Sequence, residues 1–156
     1  MKRRYYLAYG SNLNIRQMQI RCPQAKPVGS VILEGYELLF RGCHGSAVAT
    51  VEPKLGSSVP CGLWLITPKD EVSLDCYEGF PRLYRKEMVP IQLGKRRMRV
   101  MVYVMNDGHA IAGPAASYLR TIQLGYQDFL LDMTALDAAL RVSKDGHKTL
   151  TLCQQK

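Results

Sequence analysis

The chain reads as an α+β fold in a single domain, and three observations predict it. Strand-like segments fill the first two thirds of the sequence and helix-like segments the last third, an order that argues against alternating β-α-β units. A length of 156 residues fits one folding unit. The expectation is therefore one domain over residues 1–156, with a polar C-terminal tail of unsettled order over 141–156. Hydrophobic residues make up 47% and charged residues 22%. That is the balance of an ordinary globular chain, one able to bury a core without a disulfide or a metal.

Each element follows from a local signal. Tyr5-Tyr6-Leu7-Ala8-Tyr9 is an aromatic-rich strand stopped by Gly10-Ser11-Asn12. Residues Asn14 to Arg21 read as a short helix, capped by Asn12 or Asn14 and ended by Pro23. Val28 to Phe40 reads as one or two strands around Glu34-Gly35. Ala47 to Val51 is a short β-branched run, and Gly62-Leu63-Trp64-Leu65-Ile66 a buried strand. Thr67-Pro68-Lys69-Asp70-Glu71 starts a helix: Thr67 suits the N-cap, Pro68 the first helical position, and the two acids complement the N-terminal dipole. That helix runs to about Tyr77 and meets Gly79. Tyr84 to Pro90 and Arg97 to Val104 pair as strands across Gly94-Lys95-Arg96. Ala115 to Leu124 and Tyr126 to Leu140 read as two helices parted by Gly125.

Composition excludes several functions. The five cysteines, Cys22, Cys43, Cys61, Cys76 and Cys153, include no Cys-x-x-Cys pair. They form neither a disulfide framework nor a zinc ribbon, and free thiols point to a reducing cytoplasmic compartment. No stretch approaches the ~18 apolar residues of a membrane span, and the N-terminus carries no signal-like apolar run. Of His44, His109 and His147, none forms a His-Glu-x-x-His motif, and no nucleophile elbow, Walker loop or dinucleotide fingerprint occurs. Cys43 and His44 are neighbours in sequence, which says little about a catalytic pair. The net charge of +8 is spread along the chain. Its two clusters, Lys2-Arg3-Arg4 and Lys95-Arg96-Arg97, lack the spaced aromatics of a base-stacking surface, so nucleic acid ranks third among the partner classes.

Three segments carry chemistry. In Tyr9-Gly10-Ser11-Asn12-Leu13 the glycine lets backbone approach a ligand closely. The N–H groups at the following helix start suit a carboxylate or a developing oxyanion, and the same residues also serve as a plain turn and cap. In Leu74-Asp75-Cys76-Tyr77-Glu78-Gly79-Phe80-Pro81 with Tyr84, Glu78 sits at a helix C-terminus, where the dipole disfavours an anion. Aromatic surroundings there would desolvate its carboxyl and raise its pKa into the range useful for proton transfer. Asp75 braces rather than reacts. In Pro114-Ala115-Ala116-Ser117-Tyr118-Leu119, Tyr118 shares a face with Ile122, either as a substrate-facing hydroxyl or as a core tyrosine.

In order and spacing these segments resemble the γ-glutamylcyclotransferase-like superfamily, from Tyr6 to Tyr126, and in chain size its small branch acting on γ-glutamyl amines or related amides. The resemblance implies a mixed, partly closed β-barrel flanked by helices, with the pocket at one mouth. It implies that a γ-glutamyl amide is cyclised by its own α-amine, releasing 5-oxoproline and a free amine. Glu78 would be the general acid/base; Tyr9, Gly10, Ser11, Asn12 and Leu13 the substrate loop; Tyr84 and Tyr118 the pocket walls. The partner expected is a small γ-glutamyl molecule, with no metal, cofactor, nucleic acid or membrane involved. The leaving amine and the oligomeric state are left open, as is the placement of Arg82, Arg85 and Arg120. The alternative is a catalytically inactive relative that binds a small amine or peptide in the same pocket.

Overall fold

The computed structural model describes residues 2–154, with side chains described through residue 146. Its centre is β1 (Arg4–Ala8), whose Tyr6, Leu7 and Ala8 are buried on both faces. β1 pairs antiparallel with β3 (Val48–Ile66) and parallel with β5 (Arg96–Met105). β2 (Lys26–Arg41) adds to β3, and β4 (Tyr84–Leu93) to β5, giving one mixed five-stranded sheet in the order β2-β3-β1-β5-β4. The sheet does not close: β2 and β4 remain its edges, facing one another across a groove lined by Val31, Ile32, Pro90 and Ile91. Pro27 and Pro90, which have no N–H to give, are at home on such edge strands.

Two expectations change here. The short runs at Ala47 and Gly62 belong to one 19-residue strand. Its middle, Glu-Pro-Lys-Leu-Gly-Ser-Ser, is largely exposed and has no local strand signal. Pairing with β2 holds it, with Tyr36 opposite Pro53 and Glu34 opposite Ser58, and Gly35 (φ 78°) absorbs the register shift between them. In the last third, α3 (Ala116–Asp128) runs straight through Gly125, and the break comes before α4 (Thr134–Gln154). Gly125 is there for contact: a Cβ would lie 2.6 Å from the backbone carbonyl carbon of Leu13. Most of the stretch 141–156 lies within α4, and residues 155–156 lie outside the described residues.

The helices position one end of β1. A 3₁₀ turn (Ser11–Leu13) follows the strand, then α1 (Ile15–Arg21), capped by the Asn14 side chain on the Gln17 N–H. α2 (Pro68–Glu78) starts near the opposite end of β1, where Arg4 meets Glu71 at 3.2 Å. Thr67 and Asp70 form a reciprocal capping box, and Gly79 (φ 65°) ends the helix in the left-handed region. Eleven helical residues span ~16 Å and five strand residues ~16 Å. The last residue of α2 therefore arrives level with the turn after β1. Only Leu74 and Asp70 of α2 are buried, so an apolar stripe does not dock it. Polar contacts do: Lys86 binds Glu71 at 2.7 Å and Asp75 at 2.8 Å, and Asp75 also accepts from the Tyr103 hydroxyl.

The parallel pairing of β1 with β5, Tyr6 opposite Met101, also sets the starts of the two strands side by side. The clusters Lys2-Arg3-Arg4 and Lys95-Arg96-Arg97 thus lie toward the same end of the sheet, away from the turn. Among the described residues, no helix is long and apolar enough to cross a membrane.

Candidate active site

A cavity of about 230 Å³ opens where β1, the 3₁₀ turn and the end of α2 converge. It suits a small ligand rather than a large one. Six of the nine tyrosines line it: Tyr6, Tyr9, Tyr77, Tyr84, Tyr103 and Tyr118. Among the described residues, Glu78 is the only carboxyl in its wall, where no Lys, Arg or His stands, and Gly10, Ser11, Asn12, Val48, Ala49 and Leu83 complete the lining. Of the residues singled out from sequence, Tyr9, Gly10, Ser11, Asn12, Glu78, Tyr84 and Tyr118 therefore meet in one place. Leu13 does not join them. It is fully buried beneath the turn, its side chain packed toward Gly62 and its backbone against Gly125. Arg82, Arg85 and Arg120 are also absent from the lining, as are Cys43 and His44. Tyr6, Tyr77, Tyr103 and Ala49 were missed. Tyr6 and Tyr77 stand beside residues already in view, whereas Ala49 acts through its backbone and leaves no sequence signal.

Three of the six tyrosine hydroxyls are tied to backbone. Tyr9 donates to the Tyr103 carbonyl at 2.7 Å and Tyr84 to the Ala49 carbonyl at 2.6 Å. Tyr118 instead accepts from the Ala49 N–H at 3.0 Å, and the Ser11 side chain also acts on its hydroxyl. Gly10 makes this arrangement possible: a Cβ there would sit 3.3 Å from the Ala49 methyl and 3.6 Å from the Tyr118 hydroxyl. Burial pushes the phenols of Tyr9, Tyr84 and Tyr118 up, so they stay neutral at pH 7.

Glu78 as a whole residue is only half-buried, but its carboxyl head is desolvated, which pushes its pKa up to about 7 against the opposing pull of Arg21. Asn12 Nδ2 donates to Glu78 Oε1 at 3.1 Å and to the Tyr6 hydroxyl at 2.9 Å. The Asn12 carbonyl in turn accepts from Trp64 Nε1 at 3.0 Å, which pins the turn to the core. Ser11 Oγ pairs with the Tyr77 hydroxyl at 2.9 Å. Such a site can exchange a proton near neutrality beside a set of fixed donors. Among the described residues, no group of His, Cys, Asp and Glu is disposed to hold a metal ion.

A family model described as γ-glutamyl cyclotransferase, AIG2-like, matches residues 6–124. A solved structure described as a γ-glutamyl cyclotransferase is similar with a TM-score of 0.79 at 22% identity, over 88% of this chain and 86% of that one. An uncharacterized protein from Homo sapiens matches equally well, TM-score 0.79 at 22% identity, over 89% of this chain and 87% of that one. YkqA from Bacillus subtilis gives 0.77 at 23% identity, over 92% of this chain and 55% of its own length. At these identities the likeness is one of fold. No curated protein matches the sequence.

Proposed function

The chain belongs to the γ-glutamyl cyclotransferase, AIG2-like family, and from that premise we propose that it cyclises a small γ-glutamyl amide to 5-oxoproline with release of the amine, Glu78 serving as general base and then general acid. The observation that carries this reading is the Glu78 carboxyl, held near neutrality in the wall of a small, otherwise uncharged cavity.

The substrate brings its own nucleophile. Its α-amine and γ-carbonyl are already tethered, so orientation replaces covalent catalysis. An α-ammonium titrates at about 8, so proton transfer to a carboxylate titrating at about 7 is nearly balanced in free energy. The neutral amine attacks the γ-carbonyl carbon, closing the five-membered ring and placing negative charge on oxygen. Collapse breaks the bond to the leaving nitrogen, which takes the proton held by Glu78; the ring nitrogen then passes its surplus proton to the carboxylate so freed, leaving neutral 5-oxoproline and the free amine, and Glu78 gives that proton up to solvent. The amides of Ser11 and Asn12, which a helical turn leaves without an intrahelical acceptor, are our assigned donors to the substrate carboxylate or the oxyanion. The Tyr118 hydroxyl, which faces the cavity and accepts from the Ala49 N–H rather than donating to backbone, is our further assigned donor. Tyr9 and Tyr84, with their protons committed to backbone, shape the walls. Leu13 supports the turn from below.

The test is 5-oxoproline release from γ-glutamyl-alanine, γ-glutamyl-ε-lysine, a γ-glutamyl alkylamine and glutathione, each with wild type and Glu78→Gln. We expect release from at least one member and none from the variant. The preferred member names the leaving amine. Turnover by Glu78→Gln at the wild-type rate would remove Glu78 from the mechanism. Binding of a panel member without turnover would favour the inactive-relative alternative.

A further inference from the structure

Arg21 lies outside the cavity, at the last position of α1, where the helix dipole already favours a cation. That alone would explain an arginine, but its contacts go further. Nη1 donates to Asn12 Oδ1, Nη2 donates to Gln17 Oε1 at 3.3 Å, and the guanidinium stacks 3.5 Å from the centre of the Tyr77 ring. No carboxylate forms an ion pair with it among the described residues. Its strongest partner is thus a neutral amide whose other end touches Glu78.

The chemistry of that amide makes the contact directional. A guanidinium has donors and no acceptor, so it takes only the oxygen of Asn12. With the oxygen held, the NH2 group must face the other way, toward Glu78 and Tyr6, where both of its protons are used. A flipped Asn12 would set a carbonyl oxygen against the carboxylate. Meanwhile the guanidinium lies over Tyr77, the residue preceding Glu78, whose hydroxyl is bonded to Ser11. One side chain therefore touches both segments of the site, the turn after β1 and the end of α2, without entering it.

We infer that Arg21 is a positioning residue for the cyclotransfer, pointing the Asn12 amide at Glu78 and fixing the carboxyl for proton transfer. The inference rests on the reading of Glu78 as the proton carrier. The other titratable groups sharing the cavity with Glu78 are Tyr6 from β1, Tyr9 just beyond it, Tyr77 beside Glu78 on α2, Tyr84 from β4, Tyr103 from β5 and Tyr118 from α3. All are phenols. Arg21 is the one charge that acts on the carboxyl, and it pulls the pKa downward. Its removal favours the protonated carboxyl and moves the acid limb of kcat/KM to higher pH.

The experiment compares wild type, Arg21→Lys, Arg21→Met and Glu78→Gln on the best substrate of the panel. Titration of the Glu78 carboxyl by carbon-detected NMR, which needs no turnover, accompanies it. In Arg21→Met we expect kcat to fall by about tenfold or more, the rate equivalent of one hydrogen bond to a charged group. KM should stay near wild type, and both the acid limb and the carboxyl midpoint should move upward. Arg21→Lys keeps the charge and the helix end, so it restores the midpoint while leaving kcat depressed. If Arg21→Met does not fold, the kcat and KM of Arg21→Lys decide alone. Wild-type kcat in the lysine variant, a loss confined to KM, or an unmoved carboxyl midpoint in the methionine variant would overturn the inference. An active Glu78→Gln would instead overturn the reading beneath it, and the titration still judges Arg21 if no panel member is turned over.

Discussion

At the scale of the residue, a carboxyl held near pH 7 is a statement about stability as well as rate. Glu78 titrates at about 7 in the fold, above the ordinary value of 4.5. The native state then binds a proton that the unfolded state has lost, so this group's contribution falls as pH rises from about 4.5 to about 7. Glu78→Gln, neutral at every pH, should leave the melting temperature near wild type at pH 4. It should raise it at pH 8, by the equivalent of up to about 3 kcal/mol. A melting-temperature series over that range checks the sign, and a variant less stable than wild type at pH 8 contradicts it. On the proposed mechanism, in which the base form of Glu78 accepts the proton, the wild-type kcat/KM should rise through pH 7 from the acid side. Tyr118→Phe tests a different residue. It orphans the Ala49 N–H and should cost about 1–3 kcal/mol, seen as a lower melting temperature alongside a lower kcat. Glu78 was legible in the sequence because an acid at a helix C-terminus violates a local rule. Arg21 was not, because a cation in the same kind of place obeys one.

At the scale of the element, α2 decides whether Glu78 arrives. Its start was readable from Thr67-Pro68 and its end from Gly79, and both were found in place. Its docking was unreadable, because it depends on Lys86, eleven residues beyond Asp75 and on another element. With the Lys86, Glu71 and Asp75 side chains mostly covered, Lys86→Met removes the cation that joins Glu71 to Asp75, leaving Glu71 with Arg4 and Asp75 with the Tyr103 hydroxyl. We expect a loss of about 1–3 kcal/mol and a kcat that falls with it, since the end of α2 is freed to drift from Asn12. Unfolding and kinetics together check this, and an unchanged kcat would show that the capping box and Leu74 suffice to place the helix. α3 teaches the opposite lesson. Gly125 looked like a helix break because glycine is a poor helix former. It lies mid-helix because α3 crosses the 3₁₀ turn too closely for any side chain. Gly125→Ala should therefore destabilise the protein despite its better helix propensity. The displaced Leu13 backbone would carry Ser11 and Asn12 with it and raise KM.

At the scale of the whole molecule, the sequence showed the α+β class and the three site segments but not how the sheet joins them. β1 lies between an antiparallel and a parallel neighbour, and no local pattern encodes a parallel partner ninety residues away. The same pairing gathers two basic clusters that look unrelated along the chain. It also puts them toward the end of the sheet opposite the cavity, and neither cluster lines the cavity wall. What ties cavity to core is Trp64. The indole is fully buried, meets Phe129 edge-on at a centroid distance of 5.7 Å, and donates to the backbone carbonyl of Asn12. As the chain's only tryptophan, it reports on both regions at once. If the turn, the sheet and α3 form one cooperative unit, the urea-induced change in indole fluorescence and the losses of far-UV circular dichroism and of 5-oxoproline release should share one midpoint. Activity lost well before the fluorescence transition would mean that the turn and the end of α2 open while the core stands. Trp64→Phe separates the two contributions of this side chain. It removes the N–H together with part of the ring volume, so it costs stability through the cavity as well, and a loss of kcat beyond that explained by the lower stability is the expected outcome. Equal losses would assign Trp64 to packing alone.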